Sequence, residues 1–225
     1  LPEHAQNEAG KKMLAATSLL LYGIPFIYQG QEIGMTNCRR ADISEYDDIS
    51  TKDQYKEALQ AGCTEEQALE CCYENSRDNA RTPMQWSAGK GAGFTDGTPW
   101  LQLNPDYTEI NVEEQEARPD SVLNFYRKLT ALKKSPAYKE TFTYGEFVPD
   151  HEDLDGIFAY HRKTDEQDIL VAANYGTEPC TLKLDNVSAK VLLSNVGTEG
   201  IRAREIAETG AVTLESCEAA VLLMQ

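Results

Sequence analysis

From Asn7 to Leu21 a mostly apolar set recurs at helical spacing, at Met13, Leu14, Thr17, Leu20 and Leu21, and runs almost directly into Phe26-Ile27-Tyr28, a short run of β-formers. This juxtaposition limits the possible folds more tightly than any other feature of the chain. A helix delivered into a strand through a tight link, punctuated here by Gly23 and Pro25, is one step of a βα alternation. The strand is expected to be buried and to end abruptly in Gln29-Gly30-Gln31-Glu32-Ile33-Gly34-Met35, where Gly30 and Gly34 permit turns that a side chain would block. A strand whose carboxyl end opens into such a polar mouth is how an α/β barrel presents its working face, although an ordinary strand-to-loop exit has the same composition. The order implies earlier strands, so the chain is expected to begin inside a domain, as a fragment or a processed product.

After Met35 comes a polar excursion from Ala41 to Ser76, with ten Asp or Glu against Lys52 and Lys56, a net of −8 out of −16 for the whole chain. Two helices are expected in it. The first runs from Lys52 to Ala61; the second is capped by Thr64, with Gln67 at the third position completing a capping box. A solvated helical decoration and a wall beside the mouth are both consistent with this charge.

The segment Ser76-Arg77-Asp78-Asn79-Ala80-Arg81-Thr82-Pro83-Met84-Gln85-Trp86 sets two arginines four residues apart among Asp78, Asn79 and Gln85 and closes on an indole. Planar guanidinium forks suit bidentate pairing, and an indole face suits the apolar face of a sugar ring. Gly91 to Trp100 is dense in turn residues and reads as loop. From Pro119, a favourable first helical position, Val122, Tyr126, Leu129 and Leu132 define an amphipathic helix that stops near Pro136.

Beyond Pro136 the pattern changes to short alternating runs between turns: Thr141–Val148, Gly156–Lys163, Asp168–Asn174, Cys180–Lys183, Lys190–Ser194 and Ala219–Leu223. Such spacing predicts an antiparallel sandwich that folds on its own, with Phe147, Ile157, Ile169, Val171, Val191, Leu193, Val221 and Leu223 as its core. It contains no tryptophan and is expected to be structural.

The charge of −16 argues against nucleic acid and anionic lipid as partners, and no apolar run reaches the roughly 18 residues of a membrane helix. Cys38, Cys63, Cys71, Cys72, Cys180 and Cys217 are irregularly spaced with no Cys-x-x-Cys pair, so they read as reduced thiols of a cytoplasmic protein. His4, His151 and His161 are scattered singly, and neither a metal nor a cofactor is expected.

Taken together and in this order, Gly23 to Met35, Ser76 to Trp86, Gly93-Phe94-Thr95 with Pro99-Trp100, and Ile110-Asn111-Val112-Glu113-Glu114-Gln115 with Asp120-Ser121-Val122-Leu123 resemble the α-amylase family of glycoside hydrolases. Within it they are most similar to the oligo-1,6-glucosidase and α-glucosidase branch, and trehalose-phosphate hydrolases and dextran glucosidases look alike here. The resemblance implies an α/β plus all-β chain. Residues 1–136 would be the last portion of a (β/α)8 TIM barrel, with strand 8 at Pro25, the long insertion, and helix 8 at Pro119–Leu132; residues 137–225 would be an antiparallel β-sandwich C-terminal domain. A full barrel takes roughly 250 residues.

Retaining glycosidases work with two carboxylates about 5–5.5 Å apart. In this family the nucleophile Asp, the acid/base Glu and a stabilising Asp follow earlier strands, so no catalytic residue is assigned in this chain and the chain alone is expected to be inactive. Glu32 and Asp78 match no catalytic motif and read as positioning groups. What carries over is substrate binding: the resemblance gives Arg77 the role of the pocket-floor arginine that holds a terminal glucose, with Arg81 as the other candidate. The implied partner is a short α-glucoside oligosaccharide, bound through the full-length protein. A non-catalytic relative acting as an interaction or transport-accessory module is the alternative.

Overall fold

The computed structural model describes residues 3–184 and 188–225. Residues up to Ile27 together with Asn124–Gln225 form one compact unit, and Tyr28–Leu123 form the other.

In the first unit, Asn7 caps α1 (Glu8–Leu19) by accepting from the Gly10 amide. Met13, Ala16, Thr17 and Leu20 are buried, while Leu14, expected on the same face, is exposed. The predicted strand at Phe26 is a correction. Residues 24–28 belong to no ladder among the described residues, and Ile24 and Phe26 are 84% and 86% exposed. β-Formers become a strand only when a neighbour accepts their backbone bonds, and here none is within the chain's own sheets.

The long C-terminal stretch builds α5 (Val122–Lys134), α6 (Lys139–Tyr144), β1 (Glu146–Asp150), β2 (Ile157–Lys163), β3 (Asp168–Asn174), β4 (Cys180–Lys183), β5 (Ala189–Ser194), α7 (Glu199–Thr209), β6 (Ala211–Leu214) and β7 (Ala219–Met224). It is preceded, in the second unit, by α2 (Ile49–Gln60), α3 (Glu65–Asn75) and α4 (Val112–Ala117). Helix α5 stops where expected but starts at Val122; Pro119 lies in the turn before it.

A five-stranded antiparallel sheet runs β1-β2-β3-β7-β5, and β4 pairs with β6 in a second, two-stranded sheet. One core lies between them: Ala159, Leu170, Ala172, Ala220 and Leu222 of the large sheet meet Leu182, Val212 and Leu214 of the small one and Ile206 of α7. The sandwich is therefore half strand and half helix in its second layer. Helix α7 went unread in the sequence although Gly210 ends it in a left-handed cap at φ 66°.

The expected strand Thr141–Val148 is α6 followed by β1. Alternation would bury every second residue, yet the adjacent Thr141 and Phe142 are both buried, and Thr141 Oγ1 bonds Gln167 Oε1 at 2.7 Å.

The sheet's centre is covered on both faces. Residues 169–174 of β3 are all buried, because α1 lies against β3 and β7 on the face opposite the small sheet. On that face Tyr160 donates to the Thr17 carbonyl at 2.7 Å, and buried Arg162 donates to the carbonyls of Leu20 (2.7 Å) and Gly145 (2.9 Å). Of the predicted core, Ile169, Val171, Leu193 and Val221 are buried, Ile157, Val191 and Leu223 half-buried, and Phe147 is 37% exposed near the sheet's edge strand.

His161 of β2 is held between Asp168 (2.5 Å) and Asp150 (3.1 Å), as a strand residue tying β1 to β3. All six cysteines are free thiols. No helix among the described residues is long and apolar enough to cross a membrane.

The second unit is mostly irregular backbone around Ile33, Met84 and Leu123. Buried loops need side chains to satisfy their backbone groups, and three buried amides do this. Gln85 donates to the Ile110 carbonyl (2.6 Å), Gln115 to that of Ile33 (2.7 Å), and Asn104 to that of Thr36 (3.1 Å). The capping box at Thr64 forms in both directions with Gln67. Helix α2 begins three residues earlier than expected, because Asp48 rather than a later residue caps it.

Candidate functional site

The candidate residues of the second unit converge on the loop Ser76–Trp86, and their arrangement starts from one cap. Asp48 precedes α2 and its Oδ2 accepts from the Thr51 amide (3.1 Å) and hydroxyl (2.9 Å). The Thr51 hydroxyl also lies 2.9 Å from Ser76 Oγ, which in turn accepts from the Asp78 amide (3.1 Å). These bonds close the insertion onto the loop.

Asp78 is fully buried, in a short 3-10 turn spanning Arg77–Arg81. Its Oδ2 accepts from the backbone amides of Asp47 (2.7 Å) and Asp48 (3.1 Å), and its Oδ1 lies 3.3 Å from Arg81 Nη1. The same Arg81 nitrogen is 3.4 Å from Asp48 Oδ1. Arg77 approaches Asp48 from the other side, with Nη2 at 2.9 Å from Oδ1 and Nε at 3.4 Å from Oδ2. Two buried carboxylates are thus offset by two guanidiniums. Burial opposes ionisation of Asp48, but the two Thr51 bonds and Arg77 outweigh it and hold its carboxyl below the usual range.

The structure brings both sequence-predicted arginines together on Asp48, and it separates their exposures: the Arg77 side chain is 63% exposed and that of Arg81 37%. Asp78, expected from the sequence to position other groups, holds the Asp47 and Asp48 amides and Arg81. Glu32 closes its own turn, accepting from the Gly30 amide at 2.8 Å, with Gly30 and Gly34 both in the left-handed region. Trp86 is 50% exposed, and its carbonyl accepts from the Glu113 amide at 3.0 Å.

Sequence reading passed over Asp48, one acid among ten in the insertion. The usable signal was the Asp-Ile-Ser-Thr run, an N-cap three residues ahead of its threonine.

Beside the loop, Tyr28 donates to the Ala80 carbonyl at 2.7 Å and helps to line a cleft of about 390 Å³ with Gln29, Gln31, Asn37, Glu74 and Asn79. Asn37 and Asn79 both donate into the Tyr73 carbonyl, so much of that lining is already paired internally.

Residues 3–144 match the family model for the α-amylase catalytic domain. The chain is 42% identical over 200 residues to the probable oligo-1,6-glucosidase 2 of Bacillus subtilis (strain 168), covering 87% of this chain and 35% of that protein. It is 44% identical over 174 residues to the oligo-1,6-glucosidase of Bacillus cereus, covering 77% and 31%. Among solved structures, the trehalose-6-phosphate hydrolase of Bacillus licheniformis superposes with a TM-score of 0.86 at 34% identity, over 100% of this chain and 40% of that one. The chain spans about a third of the length of the curated relatives it matches.

Proposed function

Because this chain belongs to the α-amylase family, we propose that it is part of a retaining glycoside hydrolase acting on short α-glucosides, and that Arg81 binds the sugar. Residues 1–136 are taken as the last portion of the catalytic barrel and 137–225 as its C-terminal β domain. The names of the relatives support an α-glucosidase of the oligo-1,6 type. Six free thiols fit a reducing, cytoplasmic setting.

The observation that carries the assignment is the way Arg81 is held. One nitrogen, Nη1, is shared between Asp48 and Asp78, and among the described residues no bond occupies Nε or Nη2. A guanidinium fixed at one corner with donors to spare is preorganised for a hydroxyl pair. Arg77 has both Nε and Nη2 on Asp48 and points further into solvent, which suits a residue that braces the cap. Geometry thus favours Arg81 over Arg77, which the resemblance had put first.

In the full-length enzyme, Arg81→Ala is expected to lower kcat/KM on isomaltose by about 10²-fold or more, roughly 1.36 kcal/mol being tenfold in rate. Arg81→Lys keeps charge but not the planar fork and should fail similarly. Arg77→Ala should cost less than tenfold, with circular dichroism showing all variants folded. The reverse ranking would transfer the role to Arg77, and a wild-type protein that turns over no α-glucoside would favour an interaction module instead. The 225-residue chain alone is expected to release no glucose from isomaltose; steady release would show that the reacting carboxylates lie within it.

A further inference from the structure

Trp100 leaves 68% of its surface in water, unusual for a residue that is mostly buried in folded proteins. Its ring is not free to turn, because the indole Nε1 donates to Asp47 Oδ2 at 3.0 Å. Asp47 is exposed and, among the described residues, its Oδ1 carries no bond, so an open acceptor sits beside an open aromatic face. The backbone that holds this carboxylate is itself fixed, since the Asp47 amide donates to buried Asp78, the residue that also orients Arg81. Platform and arginine therefore hang from one buried carboxylate.

We propose that Trp100 and Asp47 form a second glycosyl subsite, which stacks the apolar face of a neutral hexose unit on the indole and accepts one of its hydroxyls at Asp47 Oδ1. The inference rests on the reading of the protein as an α-glucosidase and deepens it: Trp100 sets the preference for substrate length. A tethered indole with an adjacent carboxylate supplies the two contacts that a sugar ring offers, an apolar face and a directed hydroxyl. The Asp47 bond fixes the ring angle in advance, so little ordering is left to be done on binding.

The test uses the full-length enzyme with isomaltose, isomaltotriose and isomaltotetraose. Trp100→Ala should raise KM for the tri- and tetrasaccharide about tenfold, with isomaltose changed less than twofold and kcat held. Trp100→Phe should recover most of the loss, and Asp47→Asn, which can still bond the indole, should lose a smaller part of it. Calorimetric binding of isomaltotriose reads the subsite without turnover. If the wild type hydrolyses isomaltose but Trp100→Ala equals it at every length, or loses all lengths equally, the subsite is overturned while the glucosidase reading stands. If the wild type hydrolyses nothing but binds isomaltotriose, and Trp100→Ala weakens that binding, the subsite stands and the catalytic reading falls. Absence of both turnover and binding overturns both. A thermal midpoint unchanged in Trp100→Ala and Trp100→Phe separates these outcomes from unfolding.

Discussion

Residues 137–225 produced without the N-terminal helix are expected to lose cooperative unfolding altogether. Alternating strands suggest a sandwich that folds by itself, but the large sheet is not half-exposed. Leu170, Ala172, Ala220 and Leu222 face the small sheet and α7, whereas Ile169, Val171 and Val221 are buried on the opposite face, where α1 lies. Removing α1 uncovers those three side chains, each worth about 1.5–3 kcal/mol when buried. A whole domain is stable by only about 5–15 kcal/mol. The Leu20 carbonyl would also be taken from Arg162, leaving a guanidinium at the sheet surface with only Gly145 as acceptor. Circular dichroism in urea should give a broad, non-sigmoidal change for 137–225 and a sharp one for the 225-residue chain. A sharp transition in the short piece, with no dye-accessible apolar surface, would show that the strands suffice.

The second large effect lies at Glu218, which is fully buried and accepts four bonds. Arg202 Nη2 (2.5 Å) and Nε (3.0 Å), Thr198 Oγ1 (2.5 Å) and the Glu215 amide (3.0 Å) all converge on it. Together they lock α7 to the start of β7. Glu218→Ala leaves Arg202 buried without its main partner and is expected to cost about 3–5 kcal/mol, the range for breaking a buried pair from one side. Replacing both residues by methionine removes both charges at similar volume and should cost clearly less than the single change, so a double-mutant cycle gives a large coupling energy.

Acidity supplies an independent check. Burial raises the Glu218 pKa, but the bonds from Arg202, Thr198 and the Glu215 amide outweigh it, and the carboxyl sits below its ordinary value. A folded pKa below the unfolded one gives stability that is full above about pH 4.3 and is lost as pH falls through the lower, folded value. Glu218→Gln should therefore be less stable than wild type at pH 7 and should show a shallower loss of stability on the acid side. Equal acid slopes in the two proteins would mean that Glu218 is not among the groups that drive acid unfolding.

Local devices could be read without the fold. The capping box needs only Thr64 and Gln67 at the right spacing, and it forms as written. Strands β3 and β4 have the bounds that their alternation and flanking turns suggest. The four motifs that carry the family resemblance are also local, which explains why family membership was accessible from residues alone. The place of Asp48 was not: a carboxylate in an acidic stretch looks like solvation until Arg77 and Arg81 are folded onto it from about thirty positions away.

The sequence by itself determined the Thr64 capping box, most strand positions, the family and the loop that carries both arginines, because each depends on neighbours a few residues apart. Only the tertiary structure decided what depends on distant partners. It left Phe26 outside any ladder, since hydrogen bonds to another strand make a strand and β-propensity alone does not. It buried β3 on both faces by laying α1 across it, although the alternation called for one. And it distinguished two arginines that the sequence treats alike, because the number of guanidinium nitrogens left free depends on where two distant carboxylates come to rest.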